Sequence, residues 1–267
     1  MGITEPATRN HARLFPGHVS TLKVRDPELI EVFDNFAFDE ILACGSLDER
    51  TRLMAILAAL IASQALGEYR AMLQGALNLG MTPVEAKKII YQAVPYCGIG
   101  IVYDFLHATN EILASRGVKL PLEGQSTTTP ETRFERGLAL QREIFGERIE
   151  QMHQATPEDQ AHITRFLASN CFGDHLTRTG LDLPTRELLT FAMLLSLRGC
   201  EAQLKGHIEG NLRVGNDRAR LIDVLTQLLP TLGYPRTLNA LRCLDEVAPP
   251  TRPAAPDPDP TPSQPGV

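Results

Sequence analysis

The sequence predicts an all-α protein built from two tandem copies of one helical unit. Two observations carry this. No segment shows the alternation of a half-buried strand, whereas apolar residues recur at helical spacing between clear start and stop signals. The chain also repeats itself. Asn35-Phe36-Ala37-Phe38-Asp39 returns as Asn170-Cys171-Phe172-Gly173-Asp174, and Leu47-Asp48-Glu49-Arg50-Thr51-Arg52 as Leu181-Asp182-Leu183-Pro184-Thr185-Arg186. Leu77-Asn78-Leu79-Gly80 lines up with Leu212-Arg213-Val214-Gly215, and Tyr96-Cys97-Gly98 with Thr231-Leu232-Gly233. The offset is about 135 residues throughout, slipping by one in the second pair, which is the mark of a duplication.

In chain order, residues 1–25 read as a polar N-terminal arm whose first twenty residues are irregular. Asp26-Pro27 opens a helix through Leu29 to Phe36 that kinks on toward Leu42. Asp48 and Glu49 open a second helix, apolar on nearly all sides from Leu53 to Ala65 and so expected to be buried. A third helix runs from Glu68 to Leu79 and stops at Gly80. Thr82-Pro83-Val84-Glu85 has the spacing of a capping box and starts a fourth, ending near Pro95 and Gly98. A fifth carries Val102 to Ser115, closing a first unit at 26–116. Residues 117–130, rich in Gly, Pro, Ser and Thr, read as a linker. A charged helix from Glu131 to Ile149 then opens a second unit at 131–248, and a Pro-rich tail from Pro249 is expected to be disordered or polyproline-like.

Composition narrows the function. A net charge of −6 argues against a broad basic surface for nucleic acid, and the lack of Trp argues against a stacking platform. No apolar run reaches the roughly 20 residues of a membrane helix, and the N-terminus has no apolar signal region. Five scattered cysteines suggest reduced thiols and a cytoplasmic protein. No His or Cys cluster has metal-site spacing, and no Gly-rich phosphate loop follows a strand.

The stretch with chemistry is Arg198–Gly215. On a helix, Cys200, Gln203, Leu204 and His207 share one stripe, with the thiol and the imidazole two turns apart. An ordinary core stripe would be Leu or Ala throughout. The segment from Phe172 to Gly215, followed by Leu221–Leu241, resembles the carboxymuconolactone decarboxylase-like family, which includes alkyl hydroperoxidase D-type proteins. Residues 46–100 resemble it more faintly. The resemblance implies an all-α fold, units that assemble with three-fold symmetry, hence a homotrimer of fused pairs, a small-molecule substrate and no cofactor.

It also assigns candidate residues. Peroxidase-like members carry a Glu, two Cys three apart and a His four residues on. Here Cys200 and His207 hold the first Cys and His positions, Gln203 replaces the second Cys, and Glu187 lies one residue out of register with the Glu. A dithiol cycle needs two thiols. Decarboxylase-type members keep the His with acids around it, which His207 and Glu201 match. A lactone acid that loses CO2 leaves an enolate-like carbon to be reprotonated, and an imidazole suits that near neutral pH. Arg186, Arg198 and Lys205 are candidate cations, with Lys205 expected to point off the stripe. Gln203 is expected to orient a carbonyl or carboxylate, and His175 to approach the pocket. The first copy has Met72 for His207, Ala65 for Cys200 and Glu68 for Gln203. It reads as degenerate, with Glu68 offered to a shared pocket. Three functions stay open: a decarboxylase-like enzyme using His207, a thiol peroxidase using Cys200, and a non-catalytic scaffold or binding protein.

Overall fold

The computed structural model describes residues 2–250, and among them there are helices and no strands. The tail from Thr251 onward lies outside the described residues. The first half runs α1 (Glu5–Leu14), α2 (Leu22–Arg25), α3 (Pro27–Asn35), a π-helical segment (Phe36–Glu40), α4 (Glu49–Ala62), α5 (Leu66–Asn78), α6 (Pro83–Cys97) and α7 (Ile99–Ser115). The second runs α8 (Arg133–Phe145), α9 (Arg148–Ala155), a short 3-10 turn, α10 (Ala161–Phe166), a longer π-helical segment (Leu167–Leu176), α11 (Leu183–Ser196), α12 (Glu201–Arg213), α13 (Arg218–Leu232) and α14 (Tyr234–Val247).

The repeat is visible in the caps. Asp48 starts α4 by accepting from the Thr51 amide, and Asp182 starts α11 by accepting from the Thr185 amide. Ala65 and Cys200 are the cap residues of α5 and α12, and Gly98 and Gly233 end α6 and α13 with positive φ. The capping box at Thr82 forms with Glu85.

α4 and α11 pack against each other at the centre. Every residue of α4 from Thr51 to Ala62, and of α11 from Arg186 to Ser196, is buried. Their apolar surfaces require cover on all sides, and each receives it partly from the other unit: α13 lies on α4 and α6 on α11. Equivalent glutamines secure the exchange. Gln92 on α6 donates to the Arg186 carbonyl (2.7 Å) and the Thr190 hydroxyl (3.0 Å), while Gln227 on α13 donates to the carbonyls of Ile41 (2.9 Å) and Cys44 (3.0 Å). The two units therefore share one core.

Two expectations need correction. The first twenty residues are not irregular: Thr4 caps α1, whose Ala7 and Leu14 are buried. A polar composition concealed a helix that needs only a narrow apolar stripe. The charged helix does not continue to Ile149, because Gly146 adopts φ +69° and splits it into α8 and α9. α8 lies directly on the longer π-helical segment. A Cβ at Gly137 would fall 1.8 Å from the Ala168 carbonyl oxygen, so only glycine permits this approach. Among the described residues no helix is long and apolar enough to cross a membrane.

Candidate functional site

Glu187 on α11 and His207 on α12 face each other. The Glu187 Oε2 lies 2.8 Å from His207 Nδ1, and the carboxylate is fully buried. Local sequence holds the pair in place. Asn211, one helical turn beyond His207, donates to the carbonyls of Glu187 (3.0 Å) and His207 (2.7 Å), tying α11 to α12. Asn216 in turn donates to Asn211 Oδ1 (2.9 Å) and to the Pro184 carbonyl (2.8 Å). Gly210 leaves room for the carboxylate: a Cβ there would come within 3.0 Å of Glu187 Oε2 and 2.7 Å of Ile144 Cγ2. The rings of Phe145 and Tyr96 stand steeply against the imidazole, with ring centroids at 5.1 and 5.7 Å.

His207 borders a cavity of about 560 Å3. The wall is mainly apolar, from Phe145, Ile149, Met152, Leu167, Phe172, Leu194 and Leu197. Its polar groups are few: His207, Tyr96, Gln141, Gln203, Cys171, Cys200 and Arg148. An apolar chamber with a few converging polar groups is the usual form of a small-molecule site. With a carboxylate accepting at Nδ1, the neutral tautomer carries its proton there and leaves the Nε2 lone pair free. No protein group bonds Nε2 among the described residues. The low-dielectric wall strengthens whatever charge–charge contact His207 makes.

The structure brings together four residues of the predicted site. Glu187, His207, Cys200 and Gln203 meet at this cavity, Glu187 through its bond to His207. Leu204, on the same predicted stripe, turns into the core instead. The others lie elsewhere. Glu201 accepts from Asn239 on α14 (3.0 Å), and Arg198 is exposed in the turn before α12. His175 lies on the far end of the π-helical segment, near the Tyr91 backbone, where burial lowers its pKa. Glu68 lines a separate cavity of about 340 Å3 with His11 and Phe15, so it does not share the His207 site. Of the candidate cations, Lys205 pairs with Glu246, away from the stripe. Arg186 is buried against Gln92 and the Arg178 carbonyl, where burial lowers its pKa to about 10.

Sequence reasoning missed Tyr96, Gln141 and Arg148. Tyr96 arrives from the first unit, and its counterpart Thr231 carried no signal. Arg148, which pairs with Glu209, sits on α9, beyond the break at Gly146. It also missed how the thiols sit. Cys171 lines the cavity, but burial and the nearby Glu187 carboxylate push its thiol up to about 12. Cys97 is likewise pushed to about 12 by burial, with Cys200 nearby adding to it. Cys200 Sγ–H donates to the Arg198 carbonyl at 3.6 Å. Among the described residues, no three His, Cys, Asp or Glu side chains gather as a metal site would need.

Comparison with known proteins places the chain in a family. The model of the carboxymuconolactone decarboxylase family matches twice, over residues 27–111 and 161–246, more than half of the chain. A 4-carboxymuconolactone decarboxylase of Acinetobacter baylyi is 29% identical over 122 residues, covering 44% of this chain and 87% of that protein. The crystal structure of a candidate gamma-carboxymuconolactone decarboxylase subunit from Burkholderia xenovorans superposes with a TM-score of 0.50, covering 90% of this chain and 96% of that one. At 20% identity this likeness speaks to the fold alone.

Proposed function

The chain belongs to the carboxymuconolactone decarboxylase family, and from that premise we propose that it is an enzyme acting on a small carboxylated or lactone-like metabolite by proton transfer through His207. The observation that carries this reading is the buried Glu187–His207 pair bordering an apolar cavity of about 560 Å3.

In this reading the substrate carboxylate lies near Arg148 and the amides of Gln141 and Gln203. The carbon–carboxylate bond breaks, CO2 leaves, and the electron pair passes into the conjugated lactone as an enolate. His207, protonated at both nitrogens, gives its Nε2 proton to the resulting carbon and is left neutral; solvent recharges it. Glu187 fixes the ring and stabilises its cationic form before transfer. The apolar wall favours loss of charge from the substrate carboxylate.

The test is CO2 release from carboxymuconolactone and related lactone acids by the full chain. Turnover that falls by about 10²-fold or more in His207→Gln supports the proposal. Equal turnover in both proteins overturns it, as does equal ligand affinity with no turnover in either, which would favour a binding protein.

A second reading, a thiol-dependent peroxidase, draws on Cys200 and Cys171 lining the same cavity. Burial of Cys171 as a thiol weighs against it, since the thiolate is the nucleophile. Organic hydroperoxide turnover with an added dithiol, lost in Cys200→Ser, would favour it.

We also propose assembly into a homotrimer. Ile99 and Tyr103 on α7 are exposed, and so are their repeat counterparts Tyr234 and Leu238 on α14. An apolar pair repeated on both units fits a self-association surface used twice. Light scattering should give three copies per particle, and Tyr103→Glu combined with Leu238→Glu should give a monomer. A monomeric native protein would refute this.

A further inference from the structure

A second cavity, of about 350 Å3, opens where α6 meets the linker segment Leu120–Gln125 and the turn that follows the longer π-helical segment. Its wall carries Lys87, Lys88 and Arg178, and the one acid on it is Glu123. Lys88 is only 2% exposed and makes no hydrogen bond or ion pair with any described residue. Its stem is clamped at Gly180, where a Cβ would fall 3.1 Å from Lys88 Cε. Gly180 has φ +98°, a conformation that also favours glycine. Burial pushes the pKa of Lys88 down to about 8, and the charges next to it, Arg178 and Arg186, are of its own sign and add to this.

Arg178 is equally short of partners. Its Nε is buried with no acceptor. The guanidinium lies 5.3 Å from the centroid of the Tyr91 ring, and the ammonium groups of Lys87 and Lys88 lie 5.9 and 6.0 Å from it. Lys87 is held by the Asn110 side chain. Three cations thus gather around one ring, and Arg186, close to Lys88, is itself tied to neutral oxygens only. Packing like charges into a partly dry cavity is unfavourable unless an opposite charge joins them.

We propose that this cavity is a binding site for a small, multiply charged oxyanion, a phosphate ester or a di- or tricarboxylate. Arg178 offers a planar fork suited to two oxygens of one anionic group, and Lys88 a point charge deeper in the wall. The site shares no lining residue with the His207 cavity and does not rest on the function proposed above.

Calorimetric titration of the full chain at pH 7 and fixed ionic strength, with pyrophosphate and with citrate as probes, tests this. Saturable binding of either, at least about tenfold tighter than chloride, is expected. Binding of pyrophosphate alone would assign the phosphate class, and of citrate alone the polycarboxylate class. Lys88→Met and Arg178→Gln should each weaken it at least about tenfold. Lys87→Met at the partly exposed edge gives the same reading, with a smaller loss, should Lys88→Met fail to fold. His207→Ala should bind as the wild type does. Absence of binding by both probes, unchanged affinity in the Arg178 and Lys87 variants, or loss of binding in His207→Ala would overturn the assignment.

Discussion

The two halves of this protein have the same helices and different chemistry. Where α11 and α12 bring Glu187 to His207, α4 and α5 carry Leu53 and Met72 at the equivalent positions, and both of these are core residues. Where Asn211 ties α11 to α12, the first half has Ala76, fully buried. Even the packing around the pair is shared. Leu14 and Phe15, at the end of α1, crowd Gly75 as Ile144 and Phe145, at the end of α8, crowd Gly210. The first half therefore shows that the fold needs no dyad. In the second half a polar pair has been set into a frame that an apolar pair fills equally well, at the expense of burying a carboxylate whose Oε1 has no partner. Retaining such a cost is what makes the site a functional candidate. The cavity differs too. α9 has eight residues against four in α2, and it supplies Arg148, Ile149 and Met152 to the wall.

The sharpest way to break this contrast is to exchange its central residue. His207→Gln should cost about 10²- to 10⁴-fold in turnover, whereas Met72→Leu should leave turnover within about twofold. Parallel kinetics on the two variants check it, and a comparable loss in Met72→Leu would place chemistry in both halves. Next in size is the orienting carboxylate. Glu187→Gln keeps the shape but no longer stabilises a charged ring, so kcat should fall at least about tenfold with a smaller change in KM. Leu53→Met, at the equivalent place, should leave both constants near wild type.

How much of this contrast was legible in the sequence depended on what carried the signal. Caps and periodicity are local, so Asp48, Asp182, Thr82 and the repeat itself could be read directly. The stripe of Cys200, Gln203 and His207 is likewise a matter of spacing on one helix. Glu187 was placed near the site in spite of its register, and it reaches His207 because facing helices meet through side chains that span the gap. Tyr96 could not be found this way. It comes to His207 from α6 of the other unit, and only the exchange of α6 and α13 across the centre puts it there. Lys88 was silent for the same reason: its neighbour Arg178 is 90 residues away, and the void between them exists only once the linker has folded over α6. Glu201 matched an acidic position of the resemblance and Arg198 was a candidate cation, but Glu201 turns to Asn239 on α14 and Arg198 is exposed in the turn before α12.

A smaller effect separates stability from activity. Gly75→Ala and Gly210→Ala should each cost about 1–3 kcal/mol through overpacking, since the new methyl would meet Leu14 or Ile144 at 2.7 Å. Thermal denaturation measures this. Only Gly210→Ala should also lower turnover, because its methyl additionally presses on Glu187 Oε2. Equal activity in both would mean that the carboxylate tolerates displacement and does not orient the ring.

The smallest effect should come from the one aromatic hydroxyl at the site. The rings of Tyr96 and His207 meet edge to face, and the Tyr96 hydroxyl is buried beside the Thr190 hydroxyl and the Cys171 thiol without a well-formed hydrogen bond to either. Burial, joined by the nearby Cys171 and Glu187, holds it well above its ordinary pKa, so it stays protonated. Tyr96→Phe keeps the ring contact and removes a buried hydroxyl whose only contacts, with Thr190 and Cys171, are loose. Stability should therefore stay within about 0.5 kcal/mol of wild type and turnover within about threefold. Thr231→Val, its counterpart on α13, should be silent in both. If Tyr96→Phe instead raised KM more than about tenfold with stability unchanged, the hydroxyl would be a substrate ligand. The first unit would then supply a binding group as well as cover for the second.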